Sequence, residues 1–131
     1  MMDMKQLKME ILQECKEDHV GLWAILFAVR QGLAGERGQS AGVDPQEARR
    51  ITLELIREFL QSGLIQAGFP TPDGRGFTPW RMAPDEVLTR VNAEWDALGR
   101  EPNIGEIVWF TTTEKGDRAL ASQAAPGSVG G

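Results

Sequence analysis

Two short segments, LQSGLIQAGF at Leu60–Phe69 and IVWFTTTEKGDRAL at Ile107–Leu120, constrain the fold more than anything else in the chain. In the first, Gly63 suits the left-handed backbone that closes a helix, and Leu64 can fold back on the last turn. Leu64–Phe69 then reads as a short apolar strand. In the second, a β-rich run at Ile107–Thr111 leads to a threonine cap at Thr112 or Thr113 and a closing helix with Ala119 and Leu120. Helix, strand, returning strand and helix, in that order, predict a small antiparallel sheet inside a mainly helical α+β domain.

Upstream, Met4, Leu7, Ile11, Leu12 and Cys15 share one helical face, with Lys5, Lys8, Glu10, Glu14 and Glu17 filling the other. The next segment, HVGLWAILFAVRQ, is apolar on nearly every side, as a central helix is. Asp18 either caps it or lies within one continuous helix. Gly32–Gly42 reads as a loop by composition. It lacks both a preceding strand and the Lys-Ser/Thr of a phosphate loop. Asp44-Pro45-Gln46-Glu47 starts a helix, with Asp44 as the acceptor cap and Pro45 at the first position. Its stripe is Ala48, Ile51, Thr52, Leu55 and Phe59. Pro70–Gly74 is turn chemistry, with the loop expected to continue to Trp80. Pro84-Asp85-Glu86 opens a further helix, with Val87, Leu88, Val91, Trp95 and Leu98 on one face and Gly99 closing it.

These elements resemble the second half of a winged-helix domain. Asp44–Gln61 matches the recognition helix by position. Leu64–Phe69 and Ile107–Thr111 match the hairpin strands, and Thr113-Glu114-Lys115-Gly116 matches the turn into the closing helix. Two departures stand out: Gly32–Gly42 occupies the place of the short helix before the recognition helix, and the wing is replaced by a helical insertion, Pro70–Glu106. The resemblance implies one winged-helix-like domain over residues 1–120, and the tail ASQAAPGSVGG, with little to bury, is expected to be disordered over 121–131. It also implies a duplex-DNA-binding regulator with Arg49, Arg50 and Arg57 on the recognition helix. The whole chain is similar, too, to small bacterial proteins found beside larger partners, acidic immunity proteins among them.

With 131 residues, 41% of them hydrophobic, the chain is long enough for one domain with a real core. No apolar run approaches the roughly 18 residues of a membrane span. No signal-peptide core follows MMDMKQLKME, so a cytoplasmic protein with no membrane partner is expected. A net charge of −5 weighs against duplex DNA and suits a basic protein partner or simple solubility. On the capped helix, Glu47, Glu54 and Glu58 stand among the arginines at pairing distance in sequence.

Chemistry has few places to sit. Cys15 is the only cysteine and His19 the only histidine, so an internal disulfide and a thiolate cluster are excluded. Cys15 and His19 are four apart, the one spacing from which a small enzyme would draw a nucleophile and base, but no glycine-rich oxyanion turn accompanies them. The carboxylate pairs Asp85/Glu86 and Glu114/Asp117 fall in first helical turns, and Glu94/Asp96 do not face each other. No catalytic residue, metal site or cofactor is therefore expected. Arg75, Phe77, Trp80 and Arg81 have the composition of an interface hot spot. Trp23, Trp95 and Trp109 fall on core stripes. The expected function is non-catalytic binding to another protein through the Gly74–Arg81 loop and the insertion helix, with the DNA regulator as the alternative.

Overall fold

The computed structural model describes residues 4–37 and 43–124. Among them the chain forms helices α1 (Met4–Glu17), α2 (Leu22–Arg37), α3 (Pro45–Gln61), α4 (Pro84–Leu98) and α5 (Glu114–Ala124), with strands β1 (Val20–Gly21), β2 (Ile65–Pro70), β3 (Phe77–Pro79) and β4 (Trp109–Thr112). The fold is α+β, as expected. Its single sheet is antiparallel throughout, in the order β1-β4-β2-β3. The α4 insertion lies between β3 and β4.

Local chemistry sets the helix ends. The Asp44 carboxylate accepts the Gln46 amide at 3.0 Å, and Pro45 opens α3. At the other end Gly63, at φ 73°, lets its own amide reach the Leu60 carbonyl and the Leu64 amide reach Phe59. Thr113 then ties three elements together. Its hydroxyl accepts the Gly116 amide at the start of α5 and donates to the Gly63 carbonyl, while its amide donates to Leu64.

The ladder places Val20, Phe110 and Ala67 side by side, all buried, on the face that meets the helices. Leu22, Ile25 and Val29 of α2, Leu55 and Ile56 of α3, and Val87 and Val91 of α4 complete that core. Three strand spacings of about 4.8 Å would hold the outer strands about 14 Å apart in a flat sheet. Yet His19, beside β1, and Phe77, in β3, bring their rings to 5.1 Å between centroids. The sheet curls toward the face that carries them.

Several expectations are corrected. Gly32–Arg37 is helical rather than loop, because burial of Leu33 one turn after Val29 outweighs the cost of glycine in a helix; residues 38–42 lie outside the described residues. The α1 helix stops at Glu17, and Val20–Gly21 pairs with β4, a partner with no local signature. The expected loop up to Trp80 contains β3. Strand β4 starts at Trp109 because Ile107 takes a left-handed φ of 72°. Neither is α2 buried all round, since Phe27 is 57% exposed. Helix α5 runs on to Ala124, beyond the expected tail boundary; 125–131 lie outside the described residues.

Candidate functional site

Strand β3 ends where the sheet opens. The Trp80 amide donates to the Ala67 carbonyl at 2.9 Å, the last bond between the hairpin arms. Arg81 then turns left-handed, at φ 55°, and leads the chain away from β2. This backbone is uncommon for a residue with a side chain, and such positions concentrate at functional sites. The chain passes through Met82 to Ala83, whose amide is held at 2.9 Å by Glu86 in the first turn of α4. The divergence opens a cleft of about 360 Å³, lined in part by Leu60, Ile65, Ala67, Trp80, Met82 and Val87. That volume lies within the range of ligand-sized pockets, roughly 300–1,000 Å³.

Trp80 is the fixed wall of the cleft. One side of it packs on the core, the Arg90 guanidinium lies 3.9 Å from its ring centroid, and Phe69 stands 6.2 Å away. Arg90 is itself steadied by Glu94 at 2.8 Å. Phe69 and Met82, each 38% exposed, present apolar surface beside it.

The four residues expected to form an interface are divided by the fold. Trp80 and Arg81 line the cleft. Phe77 is half-buried against His19 instead, and Arg75 stands exposed in the β2–β3 turn, which Asp73 braces by accepting the Thr71 hydroxyl and the Arg75 amide. Those two hydrogen bonds hold the Asp73 carboxyl below its ordinary pKa. Arg75 and Arg81 share one property. Every other arginine whose side chain is described has a carboxylate within 4.0 Å, and these two have none among the described residues.

Arg49, Arg50 and Arg57 are all engaged. Arg49 donates to Asn92 and Asp96 of α4, each at 2.9 Å, and lies 4.7 Å from the Trp95 ring centroid. Arg50 pairs with Glu54 one turn on, and Arg57 stands 4.0 Å from Asp85. Helix α4 thus crosses α3 and draws on two of the three arginines.

Cys15 is 1% exposed, and burial, reinforced by the charge of Glu14, pushes its thiol up to about 12. A thiol so held is a poor nucleophile. Folded protein at pH 8 is expected to leave Ellman's reagent uncoloured over the time in which urea-unfolded protein releases one equivalent; equal rates would contradict this burial. His19 keeps its Nδ1 buried and unpartnered among the described residues. No group of three or more potential metal ligands occurs among those residues, and none of their helices is long and apolar enough to cross a membrane.

A second apolar cleft, about 370 Å³, went unseen in the sequence. It lies between Trp23, Leu26 and Phe27 of α2 and the Pro102–Ile104 segment, where Ile104 is 71% exposed. Only half-buried, Trp23 belongs to this wall rather than to the core; Trp109 is likewise half-buried, and Trp95 alone of the three is buried. Arg100 shapes the segment by a two-pronged pair to Glu106, at 2.7 and 2.8 Å, while Glu106 also accepts the Asn103 amide. The hydrogen bond from Arg100 is the main reason the Glu106 carboxyl falls from 4.5 to about 2. A depressed carboxylate contributes order above its ordinary pKa and loses it as pH falls through the lowered value. The protection factor of the Asn103 amide, its exchange corrected for the intrinsic rate at each pH, is expected to hold above pH 4.5 and to fall toward pH 2, whereas a Glu106→Gln variant lacks the transition.

No protein-family model matches the chain, and no curated protein or solved structure matches it.

Proposed function

We propose that the chain is a non-catalytic protein-binding module on a winged-helix-like scaffold, with the cleft between β2 and α4 as its contact surface. The observation that carries the reading is the grouping of Arg81, with no carboxylate within 4.0 Å among the described residues, and exposed Phe69 and Met82 around an anchored Trp80. Aromatic, methionine and arginine side chains are the types enriched at interface centres. The high pKa of Cys15 supports a role without nucleophilic catalysis, and its free thiol suits the reducing cytoplasm.

The scaffold reading draws support from chain order. Helix, strand, two helices and a strand are followed, after an insertion, by a strand that slots between the earlier two. Helix α2, which takes in Gly32–Arg37, is the helix that precedes α3 in chain order. In this reading α4 turns the scaffold away from DNA, because it occupies Arg49 and Arg57.

Panning a random-peptide display library against the protein tests the proposal. Peptides enriched on the unmodified protein are expected to lose about tenfold or more in affinity for Trp80→Ala and for Met82→Glu. Circular dichroism and thermal melting establish that both variants fold. Enriched peptides indifferent to both substitutions would overturn the reading. Salt-sensitive binding to a mixed-sequence duplex that weakens when Arg49, Arg50 and Arg57 become Ala would favour the regulator instead.

A further inference from the structure

We infer that the cleft takes its partner as an extended acidic segment, added as a strand to the open end of β2. The inference rests on the protein-binding reading above and specifies what binds. Along a strand, successive residues direct their backbone groups to opposite sides. The Leu64 carbonyl accepts the Thr113 amide on the β4 side, whereas the Ala67 carbonyl accepts Trp80 on the β3 side. Ile65, two residues before Ala67, therefore turns its amide and carbonyl toward β3. Pairing with β3, however, ends at Gly68↔Pro79 and the Trp80 bond. Among the described residues no backbone group meets Ile65 on that side, and the cleft opens there.

The left-handed turn at Arg81 creates this gap. An extended backbone placed in it would continue the ladder where β3 leaves off, the mode by which sheet edges recruit peptides. Its alternate side chains would face Leu60, Trp80, Met82 and Val87 on one side and solvent on the other. Charge selects among such segments. Arg81 lies at the cleft with no carboxylate within 4.0 Å among the described residues, and Arg75 stands at the far, closed end of the hairpin; the other arginines whose side chains are described are paired. A segment alternating apolar and acidic residues satisfies both the pocket and Arg81.

Fluorescence anisotropy with a labelled octapeptide alternating Val and Glu, compared with its Val/Lys counterpart, reads the charge preference. The acidic peptide is expected to bind about tenfold or more tightly than the basic one, with the preference abolished or reversed in Arg81→Glu. Methylating alternate backbone nitrogens, in each of the two registers, separates strand addition from side-chain docking: one register is expected to lose binding. Binding should also slow amide exchange at Ile65 and Ala67. Equal binding of the two charge types, tolerance of methylation in both registers, or no binding at about 1 mM peptide would overturn the inference. If selected library peptides depend on Trp80 and Met82 yet bind as helices or carry basic residues, strand addition falls while the protein-binding reading stands. If no selected peptide depends on those residues, both fall.

Discussion

Phe110→Ala is expected to lower the unfolding free energy by about 3–5 kcal/mol, measured by urea denaturation followed by tryptophan fluorescence and circular dichroism. Phe110 is wholly buried at the middle of β4, between Val20 on one side and Ala67 on the other. Neither neighbour is large enough to fill the space left behind, so the loss combines the transfer of the ring with a residual cavity. Phe110→Leu, which keeps most of the volume, should cost about 1 kcal/mol. A domain of this size has only about 5–15 kcal/mol in hand. Ala at position 110 is therefore expected to shift the midpoint far while leaving the slope unchanged; a shift no larger than that of Leu would contradict the packing.

Gly116→Ala is expected to destabilise by about 2–3 kcal/mol, against the direction that helix propensity alone dictates. Ala is favoured over Gly by about 1 kcal/mol inside a helix. At 116, however, a Cβ would collide with the Leu64 carbonyl and crowd Thr112, and the former is backbone that cannot rotate aside. The collision falls at the Thr113 junction, where β4, α5 and the end of α3 meet. Gly35 provides the control: it lies in α2 with open space where its Cβ would be. Gly35→Ala is expected to stabilise by about 0.5–1 kcal/mol. Opposite signs from one substitution type in two helices would isolate the close approach; stabilisation at both positions would refute it.

Elements bounded by their own chemistry were legible in the sequence. Asp44 and Gly63 bracket α3, Pro84 and Gly99 bracket α4, and Leu64–Phe69 coincides with β2 to within a residue. What escaped depends on distant partners. Val20–Gly21 is a strand only because Phe110 and Trp109 lie beside it, and Gly32–Arg37 is helical because Leu33 has a core to enter. The interface residues follow the same division. Composition singled out Trp80 and Arg81, but the cleft they line exists because Arg81 adopts a left-handed backbone that no arginine advertises. Composition also grouped Phe77 with them, although its ring turns to His19. Met82 and Leu60 acquire their roles from the divergence of two chain segments.

The order of strands in the sheet also sets a timetable for synthesis. Strand β4 is an inner strand to which both β1 and β2 must pair, yet it is the last of the four to be made. A nascent chain that has emerged only as far as Leu98 carries four helices and the β2–β3 hairpin, with nothing to join β1 to them. The sheet therefore closes only after Trp109–Thr112 have emerged, across a span that brings Val20 to Phe110. Such long-range closure is slow relative to helix formation. Chains cut short before Trp109 would leave β2 unpaired along one side, a ready template for joining other chains.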